Sequence, residues 1–328
     1  MDSGNIGFVM ICAALVFFMT PGLSCFYGGL VRRKNAVNTM FTSVVTIATG
    51  IVMWMLFGYS LSFGPDHGGV IGDFSWFGLE GVSLTEPYIE GQGIPNMVFC
   101  LFQMMFAVIT PALITGSVAG RMKFKSLFTF LVLWSFVVYY PMAHMVWGDG
   151  GFLAKIGSVD FAGGNVVHIS SGITALTLCI LLGKRYDYKR ANYKIHNTPM
   201  VALGAFILLF GWFGFNAGSA LAADGLAAHA FVTTAVSSAA AMLSWMFCDV
   251  VVNKKPTFVG ACTGMVAGLV GITPGAGFVP VWAALIIGLT TSPICFFMIS
   301  WVKEKFGYDD ALDAFGCHGV GGIWGGIC

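Results

Sequence analysis

The sequence predicts an all-α polytopic membrane protein with its N-terminus outside. Of its 328 residues, 57% are hydrophobic and only 9% are charged, a composition that soluble globular domains do not have. Apolar segments of about 20 residues, the length that crosses a bilayer, recur along the chain. The basic residues fall almost entirely on one side of these segments. Within these 328 residues, the three observations indicate membrane spans and no separate soluble domain.

Ten apolar segments qualify as membrane spans. They are 6–31, 38–63, 94–120, 125–147, 165–183, 198–219, 227–251, 258–273, 279–302 and 311–328. The first lacks the basic start of a cleavable signal, so we interpret it as a retained span. The tenth runs into the last residue without a cap or a basic flank, so we expect a C-terminal part to be missing.

The basic residues predict the orientation. All but one of the 16 Lys and Arg residues follow spans one, three, five, seven and nine, and only Lys155 lies on the other side. By the positive-inside rule, those five loops face the cytoplasm. The longest loop, 64–93, carries only acidic charges, so the outer surface would weakly favour a cationic solute.

Two histidines inside apolar spans share the same surroundings. His168 and His318 each lie eight residues after an aspartate and beside small residues, which let helix backbones approach closely. An ionisable group at membrane depth is costly and usually marks a transport path or a proton relay. Neutral imidazoles share one hydrogen bond and leave ring edges for a small polar solute. We therefore interpret the pair as a pore lining; the alternative is two buried histidines that only satisfy helix packing.

The repeated pattern also predicts the domain organisation. Five spans separate the two histidines, and an odd number of spans between repeats inserts the two halves with opposite topology. We expect one transmembrane domain over 1–328, built from two inverted five-helix repeats at about 6–183 and 198–328. Such repeats commonly place the substrate site at their interface, near the midplane of the membrane.

Other chemistries find no support in the sequence. The nine Cys residues lie in or beside apolar spans without a paired extracellular spacing, so neither a disulfide framework nor a metal site is indicated. The chain has no P-loop, no cofactor motif and no constellation of nucleophile and base. We expect no catalytic residue, no cofactor, no metal and no nucleic-acid partner, and hence no enzyme.

Several longer motifs occur in order along nearly the whole chain. They are Asp160 to His168 with Gly183-Lys184-Arg185, Ala143 to Gly148, Gly211 to Ser219, Gly260 to Gly264, and Asp309-Asp310 with Phe315 to Gly319. In these motifs the chain resembles the ammonium transporter, methylammonium permease and Rhesus protein family, and bacterial-type ammonium transporters most closely. The resemblance implies the ammonium-transporter fold, an eleventh span that is missing here, and transport of ammonium or ammonia across the cell (inner or plasma) membrane, with methylammonium as an analogue.

The resemblance also implies an external ammonium site at Phe106, Trp147 and Ser219. An indole face attracts a small cation by about 0.5–2 kcal/mol, and a hydroxyl oxygen accepts an N–H. Trp147 ends span four, where tryptophan is also common as a simple interface anchor. Taken alone, a tryptophan at this position is better explained as an interface anchor, whereas the family motif indicates the ammonium site.

Below that site, the resemblance implies a gate of two stacked rings, Phe106 and Phe215, above a narrow hydrophobic pore lined by the two histidines. Trp212 would pack near this pore. Without the family motif, either phenylalanine is one of 30 and more typical of a core or lipid-facing position. Pro111 is expected to break span three just after the gate.

Three aspartates have a structural and a functional interpretation. Asp160 precedes a helix start, so it is a candidate N-cap, and its carboxylate would also favour a bound cation. Asp310 and Asp313 lie one turn apart at the start of span ten, as caps or packing groups with a share in the inner exit.

Stripping water from an ion in an apolar tube is costly, whereas neutral ammonia is cheaper to move. This difference suggests a mechanism in which ammonium binds at the outer site, loses its proton near the gate, and continues past the histidines as ammonia. Two alternatives share the fold: a Rhesus-type ammonia gas channel, and an ammonium-sensing module fused to a signalling domain. The family further implies a homotrimer with one pore per subunit and a PII-type signal protein on the cytoplasmic face.

Overall fold

Helices make up most of the computed structural model, which describes residues 1–190 and 193–328. Ten long helices lie within these ranges. They are α1 Ser3–Leu30, α2 Arg33–Phe63, α3 Asn96–Ile114, α4 124–147, α5 Gly164–Leu182, α6 Thr198–Gly218, α7 Gly225–Asn253, α8 Phe258–Ile272, α9 Val281–Phe306 and α10 315–327.

Among the described residues, eight helices are long and apolar enough to cross a membrane. The other two are α8, an apolar helix of 15 residues, and α10, which continues to Ile327. Each predicted span overlaps one of the ten helices. The expectation of a helical, multi-pass membrane protein is confirmed.

One local prediction is wrong. Helix α3 continues through Pro111 and ends at Ile114, so the proline does not break it at the gate. Proline removes one backbone donor and crowds the preceding turn. Here that loss falls in the last turn of the helix, close to where the backbone would leave the helix in any case.

Glycine allows the first and sixth helices to pack closely. α1 lies along α6 over much of its length. A Cβ added at Gly204 would overlap the backbone of Phe26 and approach the carbonyl oxygen of Gly22. Small residues at such a crossing bring two backbones together in the way that membrane helices commonly associate. α5 and α10 form a second close contact, and α7 packs against α8 and α9.

Charged residues tie the loops at one end of the helix bundle, which we call the basic end. Asp309 is fully buried, and it accepts hydrogen bonds from the Arg185 guanidinium at 2.6 and 2.8 Å. The Arg121 guanidinium lies 3.9 Å from the same carboxylate. Arg32 pairs with Asp187 at 2.6 Å. The loops that follow α1, α3, α5 and α9 are therefore gathered at one end.

The opposite end, which we call the acidic end, contains the long segment between α2 and α3. Within it, β1 (Asp66–His67) pairs antiparallel with β2 (Ile71–Gly72). His144 is fully buried beneath this hairpin, with Nε2 3.0 Å from Asp66 Oδ1 and Nδ1 3.1 Å from the Ser62 carbonyl oxygen. This histidine holds the hairpin to α4.

Candidate functional site

A cavity of about 150 Å³ lies at the acidic end, and its wall includes Phe106, Trp147 and Ser219. The Trp147 indole N–H donates to the Asp160 carbonyl oxygen at 2.9 Å, which fixes the ring beside the cavity. Ser219 Oγ donates to the Phe215 carbonyl oxygen at 2.9 Å. Because the hydroxyl proton is used in this way, the oxygen keeps lone pairs for an N–H from the cavity. The arrangement offers an aromatic face and an acceptor to one small cation.

Two phenylalanine rings in direct contact close the floor of this acidic-end cavity. The ring centroids of Phe106 and Phe215 are 4.4 Å apart, with a 40° angle between the planes. Both residues are only 1% exposed. The Phe106 ring also meets Trp147 edge to face, with centroids 5.9 Å apart. A solute that leaves the cavity in this direction must displace at least one ring.

The two histidines face each other on the far side of the phenylalanine pair. His168 Nδ1 and His318 Nδ1 are 3.3 Å apart, and the rings stack at a centroid distance of 5.3 Å. Only one of the two nitrogens carries the shared proton, so the neutral rings must adopt complementary tautomers. Nε2 of His168 is buried and has no protein hydrogen-bond partner. It is therefore an available polar atom in otherwise apolar surroundings.

A middle cavity lies beside Phe215 and the histidines, where the Phe215 ring stacks on His168 at a centroid distance of 6.1 Å. It has a volume of about 10 Å³ and is lined by both histidines, Phe215 and Trp212, with apolar side chains around them. A volume of about 10–15 Å³ holds a single water molecule. The middle cavity therefore has space for one small neutral molecule but not for an ion with its hydration shell.

Trp212 is fixed beside His168. The two rings stack with centroids 5.3 Å apart and planes 21° from parallel. The indole N–H donates to Thr273 Oγ1 at 2.8 Å, and that hydroxyl donates to the Leu269 carbonyl oxygen at 2.7 Å. The family resemblance implied a position for Trp212 near the proposed pore. It did not indicate the contact with Thr273, because Trp212 and Thr273 lie 61 positions apart in the sequence.

Both histidines lie in π-helical turns. His168 belongs to the π-helix Gly164–Ile169, and His318 to the π-helix Phe315–Gly319. Such turns are rare and frequently occur at functional sites. The two helices cross at glycines, since a Cβ added at Gly172 would overlap the backbone of Gly319. This close crossing brings the two imidazoles together.

Asp160 caps the helix that carries His168. Its two carboxylate oxygens accept four backbone N–H groups, at 2.7, 2.6, 2.7 and 3.2 Å, from consecutive residues 163–166. The side chain is buried. These contacts satisfy the donors that a helix start leaves open. Because its own carbonyl holds Trp147, Asp160 links the aromatic wall of the first cavity to the start of α5.

Asp310 and Asp313 occupy the corresponding place before α10, but with different contacts. Asp310 accepts one backbone N–H, from Phe315 at 2.8 Å, and its Oδ1 is buried without a protein partner. Asp313 pairs with Lys303. A third cavity, of about 220 Å³, lies toward the basic end and is lined by Asp313 and His318. Only Asp313 of the two aspartates therefore borders this cavity.

The three cavities follow one another through shared walls. The phenylalanine pair separates the acidic-end cavity from the middle cavity. Phe26 and His318 line both the middle and the basic-end cavity. Within residues 1–190 and 193–328, no group of three or more His, Cys, Asp or Glu side chains is placed to hold a metal ion. The three cavities therefore lie in series inside the bundle.

Comparison with known proteins by sequence and comparison by structure indicate the same family. A family model described as Ammonium Transporter Family matches residues 7–328. The ammonium transporter of Bacillus subtilis (strain 168) is 50% identical over 327 residues, which cover 100% of this chain and 80% of the relative. A crystal structure of Saccharomyces cerevisiae Mep2 has a TM-score of 0.92 at 38% identity, with 100% of this chain and 75% of that one covered. A structure described as Sensor Amt Protein has a TM-score of 0.92 at 29% identity, with 99% and 81% covered.

These matches extend over the whole helix bundle, including the helices that carry the two histidines and the aromatic residues above them. The resemblance predicted from the sequence motifs is confirmed, and the chain belongs to the ammonium transporter family.

Proposed function

We propose that this protein carries ammonium nitrogen across the cell membrane through the path described above. The observation that carries the proposal is the series of three cavities joined through the phenylalanine pair and the histidine pair. Membership of a transporter family and the relatives named ammonium transporter support transport rather than enzymatic chemistry.

The proposed topology places ten spans of residues 1–328 in a single domain, with the N-terminus and the acidic end outside the cell. The basic loops at the other end support a cytoplasmic position for that end. Two inverted repeats are supported by the helix contacts, because α1 packs on α6 and α5 packs on α10, the first and last helices of each half. The substrate path lies at the interface of the halves, as in other transporters built from inverted repeats.

In the proposed mechanism, ammonium binds in the acidic-end cavity between the Trp147 face and the Ser219 oxygen. It gives its proton to water there, and neutral ammonia passes the phenylalanine pair. The middle cavity is too small for a hydrated ion, and moving a bare ion through apolar surroundings is costly. Potassium has no proton to lose, so the same barrier excludes it. The histidines then offer ring nitrogens to ammonia.

Transport is tested by reconstituting the protein in proteoliposomes. We expect saturable uptake of methylammonium that ammonium competes for, and no conduction of potassium. Empty liposomes provide the background for passive ammonia permeation. Uptake equal to that background, with the protein folded and inserted, would reject the transport proposal.

Trp147→Leu is expected to weaken apparent substrate affinity by up to about thirtyfold, the equivalent of about 2 kcal/mol of cation–π attraction. Leucine keeps an apolar wall but has no aromatic face for the cation. The measurement is the concentration dependence of methylammonium uptake. Trp301, an exposed tryptophan at the basic end of α9, provides a control in which Trp301→Leu leaves the affinity unchanged. Unchanged affinity in Trp147→Leu would contradict the external site.

A sensing module is the second candidate function, because the fold matches a structure described as Sensor Amt Protein. The same ammonium site would serve a sensor, in which occupancy changes a signalling domain. Saturable transport by the isolated protein favours the transporter. Ammonium binding without uptake favours the sensor. The aromatic and hydroxyl groups of the acidic-end cavity support ammonium recruitment over a Rhesus-type gas channel.

Family membership supports a homotrimer with one path per subunit. The path described here lies within one chain, so no second subunit is needed to complete it. Native mass spectrometry in detergent is the test, and a stable monomer as the only species would reject this assembly.

A PII-type protein is the proposed cytoplasmic partner, docking on the basic residues between Lys184 and Lys194, a range in which residues 191 and 192 lie outside the described part of the chain. Lys184, Arg190 and Lys194 are exposed, whereas Arg185 is engaged with Asp309. Hydrogen bonds from Tyr193 and the Arg32 guanidinium lower the pKa of Asp187 to about 2 and anchor this loop.

Because docking on exposed charges is screened by salt, complex formation is expected to weaken as ionic strength rises. Pull-down with a PII protein at several salt concentrations measures this effect. As the control, binding of the transporter itself to its affinity resin should not change with salt. Absence of any complex at low salt, with the effectors of nitrogen sufficiency present, would reject the partner.

A further inference from the structure

Gln103 has an unpaired polar atom in the wall of the acidic-end cavity. The residue lines that cavity and is only 8% exposed. Its side-chain carbonyl oxygen, Oε1, is buried and has no hydrogen-bond partner in the protein. A buried amide acceptor without a partner costs about 1–3 kcal/mol, and an apolar side chain of similar size would avoid this cost. The Gln103 carbonyl oxygen is therefore free to accept a hydrogen bond from a donor that is not part of the protein.

The position of Gln103 on α3 places this oxygen beside the gate. Phe106 follows three residues later, so the two side chains share one face of the helix. Phe106 is also the ring of the phenylalanine pair that borders the acidic-end cavity. A donor bound by Gln103 therefore sits where a solute would wait before it passes the phenylalanine pair.

The cavity presents few other acceptors to a dehydrated cation. Ammonium has four N–H groups, and each loses a water as the ion approaches the gate. Ser219 Oγ is one acceptor that remains available, and Trp147 offers only its ring face. A second oxygen would stabilise the ion, because hydrogen bonds to a charged donor are about twice as strong as neutral ones.

We propose that the Gln103 carbonyl oxygen accepts a hydrogen bond from ammonium at the gate and is a specificity-determining residue of the external site. This inference rests on the proposed function and deepens it. The amide is neutral, so it holds the cation without a fixed negative charge that would retain it. A carboxylate in its place would bind ammonium more tightly and release the proton and the neutral product more slowly.

Two substitutions at this position test the proposal through effects of opposite sign. In Gln103→Leu, the apparent KM for methylammonium is expected to rise about tenfold or more, as for loss of one hydrogen bond to a charge. In Gln103→Glu, the apparent KM and the maximal rate are both expected to fall. Packing alone would not produce this pair of results, because both variants would then weaken transport in the same direction.

Gln92 provides the matched control. It borders the same cavity, but it lies in the segment before α3 and not on the helix face that Gln103 shares with Phe106, and its Oε1 has a partner in the Ile89 backbone N–H at 3.4 Å. Gln92→Leu is expected to leave KM and maximal rate within about twofold of wild type, below the change expected for a lost hydrogen bond. Thermal unfolding in detergent checks folding, and Gln103→Met replaces the leucine variant if that variant does not fold.

A wild-type KM in Gln103→Leu or Gln103→Met would overturn the inference, as would an equal rise in KM for the neutral and acidic variants. The outcome is separable from failure of the transport proposal. If wild-type protein shows saturable uptake and Trp147→Leu loses affinity while the Gln103 variants do not change, only the role of Gln103 is rejected. If wild-type protein shows no uptake, the transport proposal itself fails, and Gln103 as part of an ammonium site fails with it.

Discussion

His168→Ala is expected to reduce the selectivity for ammonium over potassium about tenfold or more, which corresponds to at least 1.4 kcal/mol. The substitution removes the ring that stacks on both Trp212 and His318 and leaves His318 Nδ1 without its partner. The vacated volume joins the middle cavity, where water then accompanies an ion. Since exclusion of ions depends on the cost of dehydration, the barrier to potassium falls.

The same result is expected for His318→Ala, since each histidine orients the other. Methylammonium uptake, together with ammonium and potassium currents in proteoliposomes, measures the effect. His229 is a suitable control, because its Nε2 contacts the Val279 carbonyl oxygen at 2.8 Å, away from the three cavities. His229→Ala should retain selectivity. Wild-type uptake and selectivity in both pore variants would contradict the pore role.

The membrane helices were predictable because span length and apolar composition are local properties of the chain. Each predicted span overlaps a helix, with ends that differ by a few residues. The interruption expected at Pro111 did not occur, because the effect of a proline depends on how near the helix end lies. That end is set by packing in the bundle, which a local pattern does not contain.

The candidate site was predictable only in part. The repeated histidines and the family motifs indicated residues that the fold brings together, including the Phe106–Phe215 pair. The π-helical turns that carry the histidines depend on tertiary contacts. The link from Trp212 to Thr273 and the unpaired oxygen of Gln103 also appear only when distant helices are assembled. A glutamine within an apolar helix was a visible signal, since polar side chains at membrane depth are often functional.

Asp160→Ala is expected to destabilise the protein by about 3–5 kcal/mol and to abolish saturable uptake. The carboxylate accepts four backbone N–H groups at the start of α5, and alanine leaves these donors without partners in a buried setting. Hydrogen bonds to a charged group contribute about 1.5–3 kcal/mol each, but they are not additive when one group accepts all four. Because the Asp160 carbonyl also holds Trp147, movement of this segment would disturb the aromatic wall of the external site.

Asp310→Ala provides the matched comparison, because Asp310 precedes α10 as Asp160 precedes α5 but accepts a single backbone N–H. The Asp310→Ala substitution is expected to lower the free energy of unfolding by less, about 1–3 kcal/mol. Thermal unfolding in detergent compares the stabilities of the two variants. Asp160→Asn distinguishes the effect of helix capping from the effect of the negative charge, because the neutral amide oxygen still accepts two of the four N–H groups. If Asp160→Asn restores most of the stability but not the ammonium affinity, the carboxylate also acts electrostatically on the bound cation. Equal stability losses in the two alanine variants would show that the four-donor cap does not set the stability of this helix start.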